Sequence, residues 1–322
     1  MNDATSATTS AAPPVAVRKP SSATHHGITV SDDYAWLRDP GYPEVNDAEV
    51  LAHLAAENAW FEARMAPHQG TIDALFKEMR ARIKEADKSV PQKDGDYLYW
   101  IEFEEGAEYK KWWRRPVAGG PDELILDEPA LAEGKEYFRL GAISTSMDGR
   151  LLAYSVDDNG SERFTARIKD LATGAHLPDE IPGTLSSLVW VAGDTGLVYS
   201  LANEQWRTDN ARLHWLGKPV EEDIELYHED DEGFRVSASL SAAEDWLIIS
   251  TGDHETSEAW LVPADNPTAT PTVVRKRQKG VEYDVDVRPV PGATCCSSTP
   301  MTLTRTSASR PRRFRSPTRG KP

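Results

Sequence analysis

Four short apolar strands, each launched from an Asp- or Gly-rich turn, recur along this chain at nearly constant spacing. Tyr97-Leu98-Tyr99-Trp100 follows Lys93-Asp94-Gly95-Asp96, and Leu151-Leu152-Ala153-Tyr154 follows Met147-Asp148-Gly149-Arg150. Leu197-Val198-Tyr199-Ser200 follows Gly193-Asp194-Thr195-Gly196, and Trp246-Leu247-Ile248-Ile249 follows Glu244-Asp245. Counted at residues 98, 152, 198 and 248, the spacings are 54, 46 and 50. After a polar turn, a second strand is expected in each unit, over 109–114, 164–170, 211–216 and 258–263. Such runs bounded by turn formers read as strands. Units of roughly 40–50 residues holding several strands each mark a β-propeller. A sandwich of short strands has no reason to keep the period.

Upstream the periodicity changes. Val50, Leu54, Phe61 and Met65 keep one face of a helix expected over about 44–65. Gly70 and Thr71 open a second, with Ile72, Leu75, Phe76, Met79 and Ile83 on its apolar side. Residues 1–24 are rich in Ala, Ser, Thr and Pro without an apolar run, which reads as a flexible leader and not a signal peptide.

The last thirty residues follow different rules. From Ala293 to Pro322 there is no Asp or Glu, against six Arg and one Lys. The whole chain carries −16, so residues 1–292 carry −23. The same stretch holds both cysteines, Cys295 and Cys296, and shows neither helical nor strand periodicity. A basic nucleic-acid tail and a disordered terminus are two readings. A third fits better: out-of-frame translation of a GC-rich gene. Residues 301–310 can be written in codons that, read from one nucleotide earlier, give Asp-Asp-Ala-His-Ala-Asn-Phe-Arg-Leu-Ala. The same shift over 294–300 permits Asp-Val-Leu-Leu-Ile-Asp-Pro. One more period from Ile248 lands near 297, so the hidden frame continues the strand rhythm that the visible frame breaks.

The acidic body argues against nucleic acid, because phosphate binding needs clustered Lys and Arg. With no cysteine before the break, no disulfide framework or thiolate metal site is available there. No segment approaches the roughly twenty apolar residues of a membrane span. A soluble, cytoplasmic protein with neither nucleic acid nor membrane as partner is the expectation.

Several segments resemble a known family. Asp33-Tyr34-Ala35-Trp36-Leu37-Arg38-Asp39, with Glu57-Asn58 downstream, is similar to the N-terminal segment of prolyl oligopeptidase-type serine peptidases. Arg82-Ile83-Lys84-Glu85-Ala86-Asp87-Lys88-Ser89-Val90-Pro91 resembles the start of their propeller, continued by Tyr97-Leu98-Tyr99 and Tyr109-Lys110-Lys111-Trp112-Trp113-Arg114-Arg115. Leu126-Asp127-Glu128, residues 146–155, Asp157-Asp158-Asn159-Gly160-Ser161-Glu162-Arg163 and Asp170-Leu171-Ala172-Thr173-Gly174 resemble blade segments of the oligopeptidase B branch, also called protease II. The likeness runs over roughly residues 20–292.

That resemblance implies a propeller, normally of seven blades, capping an α/β-hydrolase peptidase domain that cuts short peptides after Arg or Lys. The expected fold is therefore all-β with N-terminal helices: an incomplete β-propeller, about four of seven blades, preceded by a helical extension. The expected layout is a leader over 1–24 and, over 25–85, a helical extension that packs on the peptidase domain. A partial propeller over 86–292 and an out-of-frame tail over 293–322 follow. The implied partners are short basic peptides in the intact enzyme and the missing C-terminal peptidase domain; no cofactor is implied.

The chemistry of such a peptidase needs a Ser on a nucleophile elbow, a His base and an orienting Asp. Gly-x-Ser-x-Gly occurs nowhere, and the nearest imitation, Ser144 and Ser146 between Gly141 and Gly149, has the wrong spacing. No catalytic residue is assigned. The eight histidines are scattered, with only His25 and His26 adjacent, and no metal site is assigned. Acidic runs at 102–105, 221–223 and 229–232 read either as solvated loops or as the lining of a tunnel for cationic peptides. Asp157 and Glu162, in the loop that resembles the family's interdomain region, are the candidates for contact with substrate or with the peptidase domain. The readings left open are a catalytically dead part of an oligopeptidase B, a stand-alone propeller acting as a binding module, and a basic-tailed nucleic-acid binder.

Overall fold

The computed structural model describes residues 12–42, 44–287 and 301–304. The chain divides into two units, Met1–Lys84 and Glu85–Pro322.

In the first unit, β1 (Ser22–His25) and β2 (Ile28–Ser31) form a hairpin inside and just beyond the stretch read as leader. The two-residue turn His26-Gly27 supplies the positive φ angles (52° and 77°) that such a hairpin requires. Asp39 then staples the following turn, its carboxylate accepting the N–H groups of Gly41, Asn46 and Asp47 at 2.6–2.7 Å. These donors hold it below the usual carboxylate range. Helix α1 (Ala48–Met65) starts later than expected, because Asp47 is its N-cap, accepting from Glu49 and Val50. A 3-10 turn containing Pro67 interrupts the helical rod, and α2 (Gln69–Arg80) resumes after it. Val50 is the one buried residue of α1, whereas Leu51, Leu54, Phe61, Leu75, Phe76 and Met79 are exposed. Met65, on the same expected face, is half-buried.

The second unit is a run of blades. The first holds β3 (Asp87–Lys88) and β4 (Gln92–Asp94) on β5 (Tyr97–Phe103), then β6 (Lys111–Pro116) and β7 (Glu123–Asp127). After the short α3 (Glu128–Ala132) come β8 (Arg139–Thr145), β9 (Leu151–Asp157), β10 (Phe164–Asp170) and β11 (His176–Val191). Next are β12 (Gly196–Leu201), β13 (Asn210–Trp215) and β14 (Ile224–His228). A separate sheet then holds β15 (Arg235–Leu240), β16 (Trp246–Gly252), β17 (Ser257–Pro263) and β18 (Thr272–Arg275). β19 (Asp284–Val287) begins a fifth unit and pairs with β20 (Met301–Thr304). The strand expected near 297 lies outside the described residues, as does the rest of the tail apart from β20.

All four strands read from the period are present as β5, β9, β12 and β16, and their expected partners as β6, β10, β13 and β17. The sequence did not show that β11 serves two blades. Its first half pairs with β10 and its last residues with β12, and Thr184 pairs on both sides, with Phe164 and Leu201. β11 is thus the outer edge of the second blade and the inner strand of the third.

β9, β12 and β16 bury side chains on both faces because each face meets a neighbouring blade. Leu152, Tyr154 and Val156 pack toward the first blade with Ile125, Leu126 and Phe138, while Leu151 and Ala153 pack toward the third with Trp190, Leu197 and Tyr199. Val198 and Leu213 meet Leu247 and Ile249 across the next seam. Ile248 and Leu261 meet Val287 of β19. Fully burying one such Leu or Ile contributes about 1.5–3 kcal/mol. Polar staples cross the same seams: Lys169 Nζ donates to Ile125 O (3.0 Å), Trp190 Nε1 to Ser144 O (3.1 Å) and Ala192 N to Ala264 O (2.7 Å).

Candidate functional site

Antiparallel blades place every turn from the first to the second strand at one end, and every loop from the second to the third at the other. The inner strands β4, β8, β11 and β15 all finish at the first end. There the turn after β4, the end of β8, the end of β11 and β15 enclose a cavity of about 460 Å³. This is the mouth of the propeller's central channel.

The mouth is acidic. Asp94, Asp96, Asp148 and Glu244 line it, and among the described residues the lining includes no Lys or Arg. Each comes from a turn that precedes a blade's second strand, so a residue type repeated along the sequence gathers in space. Asp194, from the equivalent turn of the third blade, accepts the N–H groups of Met147 and Asp148 at 2.9 and 3.0 Å. Burial, and then the charges of Asp94 and Asp194, push the Glu244 carboxyl up. Asp148 is pushed down, by the N–H of Arg150 and the hydroxyl of Ser146. The two carboxyls therefore differ in acidity within one cavity.

The acidic runs singled out in the sequence lie elsewhere. Glu102 pairs with Lys88 and Glu104 with Lys111, both at 2.7 Å. Asp223 is buried against His214, and Glu229 against Arg277. The signal for the channel was present in the sequence, as an Asp or Glu in each periodic turn, where it read only as punctuation between strands.

Ser144 and Ser146 also face the cavity. The Ser146 hydroxyl donates to Asp148 Oδ1 (2.7 Å) and accepts from Leu151 N (2.8 Å). It is bound to a carboxylate and an amide, with no imidazole as base. Among the described residues, no three His, Cys, Asp or Glu side chains come together as a metal site.

Asp157 and Glu162 lie at the opposite end, where the chain enters the propeller and Glu85 Oε2 accepts the Gly106 N–H at 3.2 Å. Asp157 is buried and organises its own loop, accepting from Asn159, Gly160 and Glu162 N at 2.7–3.0 Å. Glu162 takes a positive φ of 57° and pairs with Arg139 at 2.9 Å on the surface. Asp158 of the same loop pairs with Lys135, from the connection between α3 and β8, at 2.6 Å, and Arg163 stacks over the exposed ring of Trp206 at 4.6 Å. The two candidates thus have different placements: Asp157 shapes the loop, and Glu162 is displayed by it.

No helix of the described residues is long and apolar enough to cross a membrane.

A family model for the N-terminal β-propeller domain of prolyl oligopeptidase matches residues 13–289. Dipeptidyl aminopeptidase BI of Pseudoxanthomonas mexicana is 35% identical over 86% of this chain and 40% of its own length. Protease 2 of Moraxella lacunata is 28% identical over 85% of this chain, again 40% of its own length. Among solved structures, oligopeptidase B from Leishmania major superposes with a TM-score of 0.81 at 28% identity, covering 92% of this chain and 43% of that one. Oligopeptidase B from Trypanosoma brucei, in a closed form with covalently bound antipain, gives 0.79 at 29% identity, covering 92% and 45%. The chain spans about two fifths of the length of the curated relatives it matches. With blades, period and family model in agreement over the same residues, the chain belongs to the prolyl oligopeptidase family, through its N-terminal β-propeller domain.

Proposed function

We propose that this chain is the propeller part of an oligopeptidase B-like serine endopeptidase of the cytoplasm, which cuts short peptides after Arg or Lys. The observation that carries this reading is the likeness to two oligopeptidase B structures over more than nine tenths of the chain. The acidic channel mouth supports it, since clustered carboxylates raise the local concentration of cationic peptides. In this reading the propeller screens substrates by size and charge, and a Ser-Asp-His domain supplies the chemistry. Alone, these 322 residues are inactive.

The helical extension over 25–85 belongs with that peptidase domain. Its support is the row of exposed apolar side chains on α1 and α2, which a soluble protein covers with a partner. Glu162 and the loop shaped by Asp157 contact the peptidase domain or the substrate at the end where the chain enters. The tail over 293–322 is an out-of-frame reading. β19 stands where a fifth inner strand is due, and the hidden frame then provides the apolar strand that follows the inner strand in every other blade.

The test is the nucleotide sequence from codon 284 onward. A shift near codon 293 should restore an open frame with a nucleophile elbow and triad, and its full-length product should cut Arg- and Lys-containing peptides internally. A confirmed visible frame with no triad downstream overturns the reading and favours a stand-alone binding propeller. Release of dipeptides instead would align the enzyme with the aminopeptidase relative.

A further inference from the structure

Asn159 stands next to Gly160 in the loop between β9 and β10, where residues 158–163 are all exposed. Of the chain's seven asparagines it alone precedes a glycine; the others precede Asp, Ala, Glu or Pro. The pairing has a chemical consequence. The backbone nitrogen of the following residue can attack an asparagine side chain, and glycine has no Cβ to shield that nitrogen. Such proximity turns a slow reaction with water into an intramolecular one.

The loop treats the two reacting groups in opposite ways. Asn159 Oδ1 accepts the Ser161 N–H at 2.9 Å, a bond that folds the side-chain amide back over the peptide it shares with Gly160. The same donor draws electrons from the amide carbon and so prepares it for attack. The nucleophile is held back. Gly160 N donates to Asp157 Oδ1 at 3.0 Å, the atom that also accepts from Asn159 N, while Asp157 Oδ2 takes the Glu162 N–H at 2.7 Å. A carboxylate bonded to an N–H opposes loss of that proton, and Asp157 is itself buried and fixed in place.

We propose that Asn159 is a self-deamidating site, armed by the Ser161 N–H and restrained by Asp157. The Gly160 nitrogen forms a bond to Asn159 Cγ, the Cγ–Nδ2 bond breaks, and Nδ2 leaves as ammonia with the proton given up by Gly160. Water then adds to either carbonyl of the cyclic succinimide and opens it to aspartate or isoaspartate. Both products add a carboxylate to a loop that already carries Asp157, Asp158 and Glu162. Isoaspartate also inserts a carbon into the main chain, so the N–H groups gathered on Asp157 lose their register and Glu162 its presentation. The change does not reverse, and the loop therefore records the age of the molecule.

Peptide mapping of the full chain during storage at mildly alkaline pH follows each asparagine separately, and electron-transfer fragmentation tells isoaspartate from aspartate. Asn159 should convert first, mainly to isoaspartate, ahead of Asn58 on α1 and Asn203 in the third blade. Asp157→Asn should speed conversion of Asn159 about tenfold, the worth of one charge-assisted hydrogen bond, and leave Asn58 and Asn203 unchanged. In urea, where the restraint is gone, wild-type Asn159 should also convert faster than in the folded chain. Asn58 or Asn203 keeping pace with Asn159 in the folded wild type overturns the proposal, as does an unchanged rate in a folded Asp157→Asn. A variant that speeds all three asparagines has unfolded, and the ratio of urea to folded rates in the wild type then decides: equal rates overturn the proposal.

Discussion

Asp194 accepts the backbone N–H of Asp148 at 3.0 Å, which ties the turn of one blade to the matching turn of the blade before it, 46 residues away. The contact recurs at Met147 through the other oxygen, so one carboxylate closes the seam at the channel mouth. Replacing it with an apolar side chain leaves two exposed donors to water. Asp194→Ala is expected to cost about 0.5–1.5 kcal/mol, seen as faster hydrogen exchange over 146–152. Unchanged exchange there would show that water replaces the carboxylate without loss.

Arg277 holds two buried carboxylates, Glu229 at 2.6 Å and Glu258 at 2.8 Å, with Phe234 beneath its guanidinium at 4.3 Å. Burial would raise the Glu229 carboxyl, but Arg277, the Asp231 N–H and the Thr251 hydroxyl outweigh it and hold it below its usual value. Its contribution is therefore present above the ordinary glutamate value of about 4.3 and is lost as pH falls through the lower native value. Arg277→Met should cost about 3–5 kcal/mol near neutral pH. The dependence should also weaken in the variant: with only the Asp231 N–H and the Thr251 hydroxyl left to oppose burial, less stability is gained as pH rises above the ordinary glutamate value. Parallel pH profiles of wild type and variant in chemical denaturation would contradict this.

No hydrolysis of Arg- or Lys-containing peptides is expected from purified residues 1–322, since nucleophile, base and oxyanion donors must act together. Turnover that is blocked by a serine-directed reagent and survives loss of Ser144 and Ser146 would reveal a nucleophile elsewhere.

The exposed faces of α1 and α2 make the chain prone to self-association. Phe61 is 57% exposed and Phe76 55%, large aromatic surfaces for a soluble protein. The wild-type chain should aggregate in light scattering, and Phe61→Glu with Phe76→Glu should reduce the aggregate several-fold. A monodisperse wild-type monomer that melts cooperatively would refute the expectation.

The strands that were legible in the sequence are those with apolar residues on both faces. Leu151 through Tyr154 could hardly be anything but an interior strand, since both faces meet another blade. β11 was hidden because Pro178, Pro182 and Gly183 read as turns. An outer strand tolerates proline, and Gly183, with a φ of 74°, lets the chain bend where it passes between blades. The start of α1 was misplaced because its cap, Asp47, sits among other turn formers. The channel mouth escaped notice for a different reason. Its carboxylates are single residues spread over some 150 positions, and only closure of the blades toward one axis makes them neighbours.

The double membership of β11 determines where this propeller can flex. The second and third blades have no linker between them, so they are two leaves bound to one spine and cannot swing apart without breaking a strand. Any gaping must fall at the connections over 128–138 or 229–234, which join the first blade and the fourth to that central pair. A protease sampling the native chain should find those two joints first and release the middle blades as a single piece.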